Sequence, residues 1–562
     1  MEEATNKESP TGKDKGFNKG IEQNKDSVSP VEKQTINPSF EPLKNPETLQ
    51  NPNPFSNQEQ DPPAKVRTIL NQLLKTVEPV DFEGKAFPQI KQLREDAGKL
   101  EILCKNPDGS YNTEGQKTEW EKLKNINKQI ERFKITEKHL LILTIEELLK
   151  LAESNDWGMC NNQAFIYLYN GQFWVKVISD EFQSFLGKTA EKMGVGKFSA
   201  RWFGFKEKLI KQFFAEAYFP MPETQDKVLI NLKNKTFEIT PQERIERPFD
   251  RYDFLTYQLP FEYNPKATAP KFEKFLNQVL PDKERQNILS EFLGYVFIKT
   301  SFLKLEKALL LYGSGRNGKS VIYDIVTAML GKENVCSYSL ESLTDTSGYY
   351  RAMIADKLVN YASEISTKAN PGFFKALASG EPVEARLPYK DPFEISNYAK
   401  LVFNLNELPR DVEHTHAYFE RFLIIPFEVT IPEKEQDKQL AKKIIETELS
   451  GVFNWVLQGL ERLLQNKRFT DCKASEIARE EYKTNTDSVK LFIEENSYKP
   501  SEAGKVLLKE LYLKYRTFCI EDGFKYPVNK QSFKRRLQGM GFVIEKMNTG
   551  NNVFIETTET PF

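Results

Sequence analysis

Gly313-Ser-Gly-Arg-Asn-Gly-Lys-Ser320 fits the pattern G-x-x-x-x-G-K-[ST] at every fixed position, after the apolar run Ala308 to Tyr312 and before a helical pattern that starts near Gly318. A loop of this composition binds phosphate because glycines let successive backbone N–H groups converge on the anion. The N-terminus of the following helix adds partial positive charge. The candidate nucleotide-binding segment is therefore Gly313, Ser314, Gly315, Arg316, Asn317, Gly318, Lys319 and Ser320. Lys319 is expected to reach the β- and γ-phosphates and Ser320 to hold a metal, so the expected cofactors are ATP and Mg²⁺.

Around this loop, residues 301–432 alternate short apolar runs with helical segments. The runs are Ala308 to Tyr312, Lys357 to Ser363, Lys400 to Leu405 and Phe422 to Phe427. That alternation predicts an α/β fold with a parallel sheet of the phosphate-loop ATPase kind, its ligands at the carboxyl ends of the strands.

Three downstream positions suit ATP hydrolysis. Leu358-Val-Asn-Tyr-Ala-Ser-Glu364 is an apolar run ending in one carboxylate, which makes Glu364 the candidate base beside the metal, with a surface Glu as the alternative. Leu401-Val-Phe-Asn-Leu-Asn406 ends in an amide that either senses the γ-phosphate or starts the turn before Pro409. Arg421 precedes Phe422-Leu-Ile-Ile-Pro-Phe427. It is placed either to enter a neighbouring subunit's nucleotide site or to pair with Glu420 or Glu428.

The flanking segments read differently. Residues 1–65 are rich in Asn, Pro, Lys, Glu, Ser and Gln and are expected to be a disordered tail. Residues 66–160 are helical in pattern, including a capping box at Thr144 and Glu147 and a stripe of Trp120, Leu123, Ile126 and Ile130. Residues 161–300 read as α+β, with a hairpin about Asn170-Gly171, a second strand pair about Lys233-Asn234-Lys235, and helix from Pro270 to Ile298. A helical extension spans 433–486. Residues 487–562 read as three helices and two strands about Thr549-Gly550-Asn551, an order that suits a winged helix. In that last segment Asn529 caps a helix carrying Lys530, Lys534, Arg535 and Arg536, either as DNA phosphate contacts or as a solvated face.

Composition narrows the class. The 562 residues carry 79 Lys plus Arg against 80 Asp plus Glu, so a basic surface must come from local segregation. Five scattered cysteines, without C-x-x-C spacing, and three histidines, His139, His414 and His416, support neither a disulfide framework nor a zinc site. No apolar run approaches the roughly 18 residues of a membrane span and no basic-then-apolar leader opens the chain. A soluble, cytoplasmic protein without a membrane partner is expected.

The series Gly313 to Ser320, the run ending at Glu364, Lys375-Ala-Leu-Ala-Ser-Gly-Glu-Pro-Val-Glu-Ala-Arg386, Asn406 and Arg421 resembles superfamily 3 DNA helicases. The branch it resembles is that of the phage and plasmid primase-helicases and the poxvirus primase-helicase. Upstream, Ile230-Asn-Leu-Lys-Asn, Tyr263-Asn-Pro and Glu291-Phe-Leu-Gly-Tyr295 are similar to that branch's pre-helicase domain, so the resemblance covers roughly 161–560.

It implies an AAA+ type core that assembles as a homohexamer around one DNA strand and translocates 3′ to 5′. It also implies a DNA-contacting hairpin, in whose stretch Arg386, Tyr389 and Lys390 lie. A cation for the backbone and a ring for a base suit a single strand, though an ordinary polar loop has the same composition. The chain departs from the family in having Ser363 before Glu364. Residues 1–160 also offer no priming motif, so a primase or replication initiator is expected as a separate partner. The competing functions are an origin-binding or assembly ATPase without unwinding and a phosphate-loop ATPase acting on protein.

Overall fold

Prolines at 62 and 63 open the first helix, α1 (Pro62–Thr76), inside the stretch expected as tail, because a first-turn residue needs no intrahelical N–H bond. The computed structural model describes residues 62–557 except 113, 163–164, 220–225, 364, 366–368, 410–414 and 525–526. The rest of the expected tail, Glu364 and His414 lie outside the described residues.

The helical region continues through α2 (Phe82–Ala86), α3 (Gln89–Cys104), α4 (Lys117–Ile130) and α5 (Glu137–Ser154). Trp120, Leu123, Ile126 and Ile130 of α4 do form one stripe, packed with Ala97 and Cys104 of α3. The capping box lies earlier than expected. Thr136 is the N-cap of α5 and His139 Nδ1 accepts its backbone N–H at 3.2 Å. The apolar repeat of Leu141, Ile145 and Leu148 carries the helix through Thr144, which is buried in its middle, while Glu147 pairs with Lys85 and Lys150.

Next come β1 (Gly158–Asn162), β2 (Phe165–Tyr169) and β3 (Trp174–Val177), an antiparallel sheet with the expected turn between β2 and β3. Then follow α6 (Ser179–Met193), α7 (Lys197–Arg201) and α8 (Phe203–Glu216). Every residue of β2 is buried because the sheet is covered on both faces. Ile166 and Leu168 join the core of α1, α5, α6 and α8, whereas Phe165, Tyr167 and Tyr169 join the core of the parallel sheet described below. Tyr167 also donates to Asp356 at 2.5 Å, and Lys176 pairs with the same carboxylate at 3.3 Å.

A second antiparallel sheet, β4 (Val228–Asn231), β5 (Thr236–Ile239) and β6 (Arg244–Arg247), precedes α9 (Pro270–Val279) and α10 (Lys283–Tyr295). β4, β5, α9 and α10 share the core on one side of the parallel sheet, whereas β1–β3 join the core on its other side and that of α1, α5, α6 and α8. The region expected as one α+β adaptor therefore divides among three cores.

The parallel sheet is built from β7 (Ala308–Tyr312), β8 (Val335–Cys336) and β9 (Val359–Ala362), then β12 (Lys400–Leu405) and β13 (Phe422–Pro426). Between β9 and β12 runs an antiparallel hairpin, β10 (Val383–Ala385) and β11 (Phe393–Ile395). The intervening helices are α11 (Lys319–Leu330), α12 (Leu340–Leu343), α13 (Tyr349–Met353), α14 (Pro371–Ser379) and α15 (His416–Phe419). The strand order is β13-β7-β12-β9-β8, all parallel. Leu309 and Leu311 of β7 face one core while Ala308 and Leu310 face the other, so the sheet is covered on both sides, as near-continuous apolar runs require. The mixed α/β class and the parallel sheet agree with the sequence reading.

Helix α16 (Leu440–Asn466) packs against α10 and α11. The approach is close: a Cβ on Gly459 would stand 2.4 Å from the Ser290 carbonyl carbon, so only glycine fits there. After α17 (Lys473–Asn485), the C-terminal segment runs α18 (Ser488–Glu495), β14 (Tyr498–Leu507), α19 (Leu508–Glu521), α20 (Lys530–Gly539), β15 (Ile544–Met547) and β16 (Gly550–Thr557). Its sheet order is β14-β16-β15. The three helices and the final strand pair match expectation, and β14 is an addition that the sequence hides. Its residues do not alternate, and its register shifts between Pro500 and Lys505.

Candidate active site

Because β7, β9 and β12 are parallel and in register, the residues that follow them share one edge of the sheet. Leu405 is level with Tyr312 and Ala362 with Phe403, which brings Gly313, Ser363 and Asn406 to that edge. The glycine-rich loop is held there from both sides. Gly313 N–H donates to Leu405 O at 3.0 Å, and Asn317 Nδ2 donates to Phe427 O at 3.2 Å. A Cβ on Gly313 would lie 2.4 Å from Phe427 O, so the close approach of β13 explains that glycine. Gly315, Arg316 and Gly318 have φ of 100°, 53° and 85°, a left-handed run of the kind that curls backbone N–H groups into an anion-binding concavity.

Lys319 opens α11 and is buried. Its Nζ donates to Gly313 O at 2.6 Å and Asn317 Oδ1 at 3.0 Å, and burial pushes its pKa below the usual lysine range. Both acceptors are neutral, and among the described residues no carboxylate pairs with this ammonium. Ser320 is exposed beside it.

The loop opens on a cavity of about 870 Å³, a size that suits a nucleotide-sized ligand. Asn406 and Ser363 line it, as do four residues the sequence reading missed: Lys271 and Lys274 of α9, Asp324 of α11 and Asn404 of β12. Burial raises the Asp324 carboxyl above its ordinary pKa. Asn404 accepts from the Tyr361 hydroxyl at 3.1 Å. The two lysines carried a readable signal, since they lie three residues apart on a helix started by Pro270. Asp324 did too, one turn after Ser320. Phe275 did not, because its approach to Gly318 is made only by folding. Glu364, placed by sequence at this edge, is outside the described residues.

Arg421 is elsewhere. It precedes β13, whose Phe422 pairs with Ala308 at the start of β7, so it sits one strand length, roughly 16 Å, from the loop edge. Its guanidinium donates to Lys375 O, Ser379 Oγ and Ala417 O and lies 3.5 Å from Glu306. Neither Glu420 nor Glu428, the partners weighed from sequence, is among these; Glu420 instead faces Lys307, His416 and Arg479, and Glu428 pairs with Arg285.

The candidate DNA residues separate into two groups. Arg386, Tyr389 and Lys390 lie in the loop between β10 and β11, with Tyr389 fully exposed at φ 58° and Arg386 Nε donating to Lys390 O at 3.0 Å. On α20, Asn529 caps Ser532 N–H as expected, Phe533 and Leu537 are buried, and Lys530 and Arg535 are exposed while Lys534 is half-buried. Arg536 donates to Asp487 Oδ1 at 2.9 Å, tying α20 to the cap of α18. Consecutive helical positions cannot all share one face, and Arg536 falls on the side of buried Phe533, three positions before it.

Residues 148–281 match a family described as D5 N terminal like, and residues 311–421 match a family of unknown function. "Putative helicase 121R" of Invertebrate iridescent virus 3 is 23% identical over 372 residues, which span 58% of this chain and 39% of that relative. The chain is thus similar, over part of its length, to a D5 N terminal like region and to a viral protein described as a putative helicase. The chain spans about two fifths of the length of the curated relative it matches. Among solved structures, two apo structures of the NrS-1 C-terminal region are similar at 12% and 13% identity. They cover 73% and 72% of this chain and 98% and 97% of theirs, with TM-scores of 0.40 and 0.39. Among its described residues no helix is long and apolar enough to cross a membrane.

Proposed function

We propose that the chain is an ATP- and Mg²⁺-dependent replicative DNA helicase of a virus, plasmid or mobile element, working as a homohexamer on single-stranded DNA. The observation that carries this reading is the Lys319 ammonium, buried at one sheet edge on two neutral acceptors while Ser320, Asn404 and Asn406 face the same cavity. Phosphate oxygens would replace Gly313 O and Asn317 Oδ1 as its acceptors, and the left-handed loop and the N-terminus of α11 fit the remaining negative charge. Mg²⁺, held through Ser320 and Glu364, would neutralise charge on the β- and γ-phosphates. Glu364 would orient the attacking water, and Asn406 would hydrogen-bond the γ-phosphate. AAA+ type ring assembly, a winged-helix role for residues 487–562, and phosphate contacts from Lys530, Lys534 and Arg535 belong to the same proposal.

Single-stranded DNA is expected to raise ATP turnover severalfold in a steady-state assay. Replacing both Tyr389 and Lys390 by Ala is expected to remove most of that stimulation without weakening ATP binding. Turnover indifferent to DNA in the unmodified protein would instead favour an ATPase acting on protein. DNA binding without any turnover would favour an assembly module.

Arg421 is proposed to act across a subunit boundary, since the far edge of the sheet keeps it from its own loop. Arg421→Ala protein mixed with Lys319→Ala protein should then regain turnover that neither has alone, because mixed interfaces pair an intact loop with an intact arginine. No regain in any mixture of the two would argue against that role.

A further inference from the structure

The segment Lys197-Phe-Ser-Ala-Arg-Trp-Phe-Gly-Phe-Lys-Glu-Lys-Leu-Ile-Lys211 lies within the D5 N terminal like region and has no part in the cavity. It begins in α7 and continues into α8. Three of its rings are turned outward: Phe198 is 89% exposed, Trp202 51% and Phe203 67%. Apolar residues scattered singly over a surface are ordinary, but three large rings within six residues form a patch. The same fifteen residues hold five cations, at 197, 201, 206, 208 and 211, against one acid, Glu207. In a chain of net charge −1, this is local segregation of positive charge.

The rings are also held in place. The indole of Trp202 lies against the backbone of Gly204, where a Cβ would come within 2.8 Å of it. Phe203 meets the indole edge to face at 5.7 Å, and Lys208 Nζ stands 5.6 Å from its centre. Two of the five cations are engaged locally, Arg201 with Glu191 and Lys208 with Glu137, through exposed pairs that a phosphate can compete with.

We infer that this patch is a second binding surface for single-stranded nucleic acid, separate from the β10–β11 hairpin and from α20. Rings held open to solvent offer stacking platforms for bases of any sequence, and the surrounding cations meet the phosphates, which is the combination by which single strands are bound. The charge selects a polyanion, and an apolar protein partner would leave Lys197, Lys206 and Lys211 without a role. The inference does not depend on the nucleotide-site proposal, and its test is run without ATP.

The test titrates the full chain with an oligothymidylate of about 20 nucleotides and follows tryptophan fluorescence. The DNA should quench the emission, and Trp202→Phe should remove most of the quench, because stacking reports locally. Phe198→Ser together with Phe203→Ser should weaken binding about tenfold, with an unchanged circular dichroism spectrum showing that the variant keeps its fold. Raised salt should weaken binding further. The Tyr389→Ala, Lys390→Ala protein should keep the Trp202 quench. An undiminished quench in Trp202→Phe would overturn the inference, as would unchanged affinity in the double serine variant. Quenching by an acidic peptide or anionic vesicles but not by DNA would overturn it too, reassigning the patch to that partner.

Discussion

Lys319→Ala is expected to lower ATP turnover at least about a hundredfold, the scale on which losing one preorganised charge donor acts on a transition state. The same change should leave the fold nearly untouched. Lys319 is a buried ammonium whose acceptors among the described residues, Gly313 O and Asn317 Oδ1, are neutral, and burial already pushes its pKa down. Its removal therefore takes away a desolvation cost together with two hydrogen bonds. Turnover and thermal unfolding measured on one preparation separate the two effects. Collapse of turnover with a melting temperature within a few degrees of the unmodified protein supports a functional ammonium, whereas matched loss of both would assign it to the fold.

The second large effect is on stability. Glu291 of α10 is completely buried, and its carboxylate accepts Arg462 Nε at 2.5 Å, Thr470 N–H at 2.8 Å and Thr470 Oγ1 at 2.5 Å. These bonds join α10 to α16 and to the chain beyond it. Glu291→Ala leaves Arg462 without its carboxylate and strands the Thr470 N–H, the kind of loss that costs about 3–5 kcal/mol for a buried pair. Because the Arg462 side chain is 31% exposed and can recover some hydration, the lower end, about 3 kcal/mol, is expected. Urea unfolding measures it through the midpoint at an unchanged slope. A shift worth less than about 1 kcal/mol would show that the cluster is dispensable.

What could be read in advance followed the physics of burial. β7, β9, β12 and β13 were legible because strands covered on both faces must be continuously apolar. The edge strand β8 has two residues, and β14 is largely exposed, so neither leaves a pattern in the sequence. Lys319 and Asn406 were found because each follows a legible strand. Lys271 and Lys274 are visible as two cations three residues apart on α9, but that they and Asn404 face one cavity depends on α9 and β12 converging across it, a tertiary fact. The pairing of Arg536 was hidden for the converse reason. A run of cations looks uniform in sequence, but the helix turns one member inward to Asp487. Arg421 was placed at the right strand with the wrong local partners, because Glu306 and α14 are brought to it only by the fold.

The most direct test of the central claim is strand separation of a forked DNA by the full chain with ATP and Mg²⁺, run beside Lys319→Ala. The account predicts ATP-dependent release of the displaced strand by the unmodified protein and none by the variant. Equal strand release by both proteins, or none by the unmodified protein under any loading condition while it still turns over ATP, would contradict it.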